Sequence, residues 1–177
     1  MIRNIVWFMA LSLLLLIQSG VLLPFHIAPA HLIMIVIALA TILSEFRQGL
    51  IITLLGGLLL DFVSGSPDGV ITMSLLIVFL VLHVVLREFL SREPNKYILA
   101  ATIAGGTLIY YLAYIAINRL FMWIHLADKT DVRYLFSVQL PLAIMWNLIF
   151  AYPIFKFYIL TQSLASKVRQ DEESIEV

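Results

Sequence analysis

The sequence predicts an all-α integral membrane protein, a bundle of about six transmembrane helices. Three observations predict it. The 177 residues are 62% hydrophobic with a mean hydropathy of +1.03, beyond the range of soluble globular domains. Charged residues make up only 12%. Most of them collect between apolar stretches, and six such stretches can be drawn, at about 4–23, 30–44, 48–63, 70–86, 97–124 and 134–160. Residues 1–165 are therefore expected to form one helical bundle and 166–177 a short polar cytoplasmic tail, with no separate soluble domain.

The first stretch opens with Met1-Ile2-Arg3-Asn4 and runs apolar over 5–17, which has the outline of a signal peptide. Gln18-Ser19-Gly20 is followed by more apolar residues and no small-x-small cleavage site, so a retained helix is expected. Pro24 to Pro29 ends it. Stretches two and three, separated by Glu45-Phe46-Arg47-Gln48, hold only about 15 and 16 residues. At 1.5 Å per residue they fall short of a hydrocarbon core of roughly 30 Å, which predicts short spans or a re-entrant hairpin. Stretch four begins after the turn Ser64 to Gly69. Stretches five and six each exceed the length needed to cross, so tilt or projection beyond the bilayer is expected. Pro141 and Pro153 lie inside stretch six and should kink or break it.

Orientation follows from the basic residues. Arg3, Arg47, Arg87, Arg92, Lys96, Lys156, Lys167 and Arg169 fall on one side of a six-span arrangement, and Arg119, Lys129 and Arg133 on the other. The excess places both termini in the cytoplasm and the turn 64–69 outside. There is no cysteine, hence no disulfide and no thiolate metal site. A net charge of zero makes nucleic acid an unexpected partner.

The chemistry concentrates on stretch three. Gly49, Thr53, Gly57 and Asp61 recur every four residues, so a small-residue groove and one carboxylate share a helix face, which should meet protein and not lipid. Asp61 is a candidate proton or ion ligand, a substrate contact, or a structural acceptor for the N–H groups of Ser64-Gly65-Ser66. Its place at the end of the helix favours the structural role, because lone pairs are satisfied there at lower cost than at the midplane. In that role Asn would keep an acceptor oxygen and Ala would not. The outer turn comprises Ser64, Gly65, Ser66, Pro67 and Gly69.

Catalysis needs a second group. A paired-carboxylate site is not expected, since Asp68 lies in the loop beyond Pro67 and no Gly-x-Gly-Asp motif precedes Asp61. His26, His31, His83 and His125 are scattered without metal-ligand spacing or a partner motif for a serine nucleophile. No enzyme, no metal and no cofactor are expected. Stretch five offers a different surface. Ala101/Gly105 and Thr102/Gly106 are pairs suited to close helix contact, and Gly106, Tyr110, Tyr114 and Asn118 share a face. Gln18, Tyr110, Tyr114 and Asn118 form a candidate pocket or partner face, with an interfacial aromatic belt as the alternative for the tyrosines.

The run Gly56-Gly57-Leu58-Leu59-Leu60-Asp61-Phe62-Val63-Ser64-Gly65-Ser66-Pro67-Asp68-Gly69 closely resembles the MreD family of bacterial rod-shape-determining membrane proteins. Leu16-Ile17-Gln18-Ser19 and Leu22-Leu23-Pro24 are similar to that family's first helix and its exit. The specific resemblance covers about residues 14–75. The chain departs from the family pattern at Pro29-Ala30-His31, where Pro-Asp is common, and at Asp68, where an apolar residue is usual.

The resemblance implies a non-enzymatic subunit of the cell-elongation complex in the bacterial inner membrane. Its implied partners are MreC and, through MreC, the cytoskeletal MreB, RodA and a class B penicillin-binding protein, with membrane lipid around the bundle and a homo-oligomer left open. The family is similar in fold to the substrate-binding subunits of energy-coupling-factor transporters. A solute-binding subunit of a vitamin-type transporter is therefore the alternative function.

Overall fold

The computed structural model of the chain describes residues 14, 16–18, 31–43, 45–64, 69–89, 96–126 and 131–156, and the regular structure among them is helical. Five helices follow one another: α1 Leu32–Leu43, α2 Phe46–Ser64, α3 Val70–Phe89, α4 Lys96–Trp123 and α5 Val132–Lys156. Of the first apolar stretch, Leu14, Leu16, Ile17 and Gln18 are described and helical. The rest of that stretch, residues 65–68, residues 90–95 and the tail expected at 166–177 lie outside the described residues.

Helix α1 reads Leu-Ile-Met-Ile-Val-Ile-Ala-Leu-Ala-Thr-Ile-Leu, apolar around its whole circumference. Such a helix has no face for water and belongs inside. Accordingly, every residue from Leu32 to Thr41 is buried, and α1 packs against α2, α3 and α4. Its 12 residues make it about 18 Å long, so it is a short central helix.

Helix α2 corrects the reading of stretch three as too short to span. Phe46, Arg47 and Gln48 belong to its first turn, which gives 19 residues and about 28 Å. Phe46–Ser64, Tyr97–Trp123 and Val132–Lys156 are each long and apolar enough to cross a membrane. The apolar parts of α1 and α3, Leu32–Ile42 and Val70–Leu86, are shorter. Helices α2 and α3 are neighbours joined across the turn that ends at Gly69, whose φ of 93° is a conformation open to glycine.

The expected break at Pro141 does not occur. Asp131 caps the start of α5, its Oδ1 accepting from the N–H groups of Arg133 at 3.0 Å and Tyr134 at 3.1 Å. The stretch Leu135–Gln139 is then π-helical, the N–H of Leu140 reaching back to the carbonyl of Leu135. A proline ring clashes with the carbonyl four residues before it, here that of Ser137. The widened turn over Leu135–Gln139 contains that residue and directly precedes Pro141, and the helix continues through Pro141 and Pro153 to Lys156.

The distribution of polarity is that of a membrane bundle. Thr53, Asp61, Thr72, Ser74, Thr107 and Asn147 are buried, while Leu54, Leu58, Phe62, Met73, Leu80, Val84 and Leu112 are exposed. Hydrocarbon offers polar groups no partner, so they turn to one another and leave the apolar side chains outside.

Candidate functional site

The face of α2 anticipated from its period of four is turned inward: Gly49, Thr53, Gly57 and Asp61 are all buried. It packs on α3 at backbone distance. A Cβ on Gly57 would lie 2.7 Å from Cα of Thr72, and one on Gly49 would lie 2.5 Å from Cε2 of Phe79. Neither position has room for a methyl group without movement. Thr53 turns its hydroxyl back to the carbonyl of Gly49, at 2.8 Å, and so presents only its methyl to the neighbour.

Asp61 stands at the end of this contact. Its Oδ1 accepts the N–H of Ile71 at 3.0 Å, and its Oδ2 accepts both the N–H of Thr72, at 3.0 Å, and the Thr72 hydroxyl. The N–H groups of a helix's first turn have no partner within their own helix, and the dipole there favours negative charge. The carboxylate is thus a cap supplied to α3 by the preceding helix.

Of the donors expected from the turn, Gly65 and Ser66 lie outside the described residues, as does Pro67, and the Ser64 hydroxyl donates to the Asp61 carbonyl at 3.4 Å. Sequence reasoning missed Ile71 and Thr72. The available signal was a threonine in the first turn after Pro67-Asp68-Gly69, the place where a hydroxyl meets a capping acceptor.

A cleft of about 370 Å³ opens beside this joint. Ser64, Ile71 and His31 line one side, the tyrosines Tyr110, Tyr111 and Tyr114 another, and Asp131, Tyr134 and Gln139 of the α5 end a third. Tyr110 is its centre: ring centroids lie 5.0 Å away at His31, 5.6 Å at Tyr111 and 6.1 Å at Tyr114. Aromatic walls with a few hydroxyl, amide and carboxylate groups suit a small polar molecule or a polar segment of another chain.

The face proposed for Gln18, Tyr110, Tyr114 and Asn118 is divided by the structure. Tyr110 and Tyr114 line the tyrosine cleft, whereas Asn118 is buried and lines a neighbouring cleft with Arg119 and Arg133. Gln18 sits at the start of α1, where its Oε1 accepts the N–H of Leu32 at 3.0 Å. The small pairs of α4 divide as well. Thr102 and Gly106 are buried, with Gly106 against Leu82 and Met34, but Ala101 is exposed and a Cβ on Gly105 would meet nothing within 4 Å.

Asn147 ties three helices together. Its Oδ1 accepts the N–H of His31 at 2.8 Å, and its Nδ2 donates to Oγ1 of Thr107 at 3.1 Å, whose hydroxyl donates to the carbonyl of Ile103 at 2.7 Å. Gln18 and Asn147 together therefore satisfy the N–H group of the first residue of the central helix and that of the residue before it. Asn147 lies between Pro141 and Pro153, and its partners stand 40 and 116 positions away in the chain. His83 lies against Phe46 and Phe79, at ring distances of 5.0 and 5.8 Å. Among the described residues no cluster of three or more His, Cys, Asp or Glu is placed to hold a metal ion.

The family model of the rod shape-determining protein MreD matches residues 1–161 of the chain. No curated protein and no solved structure matches it.

Proposed function

The chain belongs to the MreD family of rod shape-determining membrane proteins, and from that premise we propose that it is a non-enzymatic scaffold subunit of the cell-elongation complex. The observation that carries this reading is the state of Asp61. Both carboxylate oxygens are engaged by the first turn of α3, and the side chain is buried. A carboxylate that relays protons or binds a solute needs an oxygen directed at water or ligand, whereas one that caps a helix fixes shape. Asp61 serves the second purpose, tying the end of α2 to the start of α3.

On this reading the joint is where MreC docks, and MreC links the subunit to MreB, RodA and a class B penicillin-binding protein. The protein crosses the bacterial inner membrane several times with both termini in the cytoplasm, a reading supported by the excess of basic residues on that side. A second reading, a solute-binding subunit, is favoured by the tyrosine cleft of about 370 Å³. Co-purification from native membrane separates the two. A scaffold elutes with MreC and no stoichiometric small molecule. A bound small molecule without MreC would favour the solute-binding reading.

A further inference from the structure

The last turns of α4 and the first turn of α5 enclose a second cleft, of about 550 Å³, to which the scaffold reading gives no role. Its lining is mixed. Ile115, Met122 and Val132 are apolar, and Asn118, Arg119 and Arg133 are polar or cationic, with Ile115, Asn118, Arg119 and Met122 on one face of α4. Arg119 and Arg133 are exposed. The carboxylate of the lining, Asp131, has Oδ1 turned to the start of α5, where it accepts from Arg133 and Tyr134 N–H.

The location of these charges is informative. Basic residues are disfavoured on the outer side of a membrane protein. Yet the three that fall outside in the six-span arrangement, Arg119, Lys129 and Arg133, lie together in sequence, and two of them line one cleft. Around it Leu120, Trp123, Ile124 and Leu126 are exposed, with Trp123 at 85%. A tryptophan and aliphatic side chains beside cations are what a helix shows where hydrocarbon gives way to headgroups.

The geometry points to this cleft as a binding site for a phosphate-bearing lipid. The guanidinium groups of Arg119 and Arg133 hold the headgroup phosphate, for which their planar forks are suited. One acyl chain lies along Ile115, Met122 and Val132. A free anion would use the polar side chains alone. A lipid, with a phosphate and an acyl chain on one molecule, meets both the arginines and the apolar side chains of the lining.

The test uses the full chain in detergent and native mass spectrometry, with phosphatidylglycerol and diacylglycerol as probes and glycerol phosphate as competitor. The wild type should bind phosphatidylglycerol about tenfold more tightly than diacylglycerol, the contribution expected of charge-assisted phosphate contacts. The double variant Arg119→Gln, Arg133→Gln should lose that preference, and Arg119→Lys, Arg133→Lys should keep part of it. Arg47→Gln, at the other end of the bundle, should leave it unchanged. Equal binding of the two lipids, or a preference surviving in the double Gln variant, overturns the site. Displacement by glycerol phosphate at lipid concentrations would make it a free-anion site and overturn the lipid assignment. Loss of a co-purifying protein in the double Gln variant, with the lipid preference intact, would assign the cleft to an acidic partner and overturn it equally.

Discussion

Oδ2 of Asp61 accepts two hydrogen bonds from a single residue, the backbone N–H of Thr72 at 3.0 Å and its hydroxyl. Oδ1 is left to the N–H of Ile71. The end of α2 and the start of α3 are therefore joined by a charged acceptor whose bonds are worth about 1.5–3 kcal/mol each where they are buried. The consequence is a turn with fixed ends.

The hydroxyl bond can be removed by itself. Thr72→Val keeps the shape and the N–H but deletes the side-chain donor, and it should lower stability by about 1–2 kcal/mol. Thr72→Ser keeps the donor and should cost less. Thermal melting in detergent distinguishes them, and equal melting temperatures would show that the hydroxyl contributes nothing.

Two glycines should respond oppositely to the same change. Gly57→Ala puts a methyl 2.7 Å from the α3 backbone and should destabilise by about 1–3 kcal/mol. Gly105→Ala meets nothing within 4 Å and should be neutral or stabilising by up to about 1 kcal/mol, the helix propensity difference. If both variants melt alike, α2 and α3 are not in backbone contact.

Asn147→Ala removes the acceptor for His31 N–H and the donor to Thr107 together. It should cost about 1–3 kcal/mol and speed amide exchange at the start of α1. Leu148→Ala, next to it but half-exposed, should stay within about 1 kcal/mol and leave that exchange unchanged. Unchanged exchange in the Asn147 variant would remove it from the capping network.

The orientation predicts labelling from opposite sides. In this cysteine-free chain, cysteines placed at Ser66 and Ser174 should react with impermeant reagent from outside and inside respectively. Reaction of both from one side would contradict the six-span arrangement.

The inward face of α2 is legible in the sequence because a four-residue period is a property of one helix. The partners of Asp61 are not. By sequence the nearest N–H groups are those of Ser64 to Ser66, whereas Ile71 and Thr72 stand ten and eleven positions on from Asp61, where their N–H groups open a helix and lack partners within it. Asn147 and His31 stand 116 positions apart, beyond any local pattern. The tyrosine face divides between two clefts for another reason. Helix α4 has 28 residues, and along that length one face passes from core at Gly106 to one cleft at Tyr110 and another at Asn118. Pro141 marks where α5 departs from a regular α-helix, while the π-helical stretch before it depends on backbone geometry that no single residue announces.

The scaffold role of Asp61 is tested most directly by following three properties of the Asp61→Asn and Asp61→Ala variants together: melting temperature, co-purification with MreC, and restoration of rod shape to cells lacking the protein. Asn can keep the bond to Ile71 but turns an amide N–H₂ toward the N–H of Thr72, so it should be intermediate; Ala keeps no acceptor and should be worst. The account predicts that all three properties fall in step, in the order Asp, Asn, Ala. An Asn variant that melts and binds MreC like the wild type, yet restores rod shape no better than Ala, would contradict it, because only the loss of a titratable charge would then explain the defect.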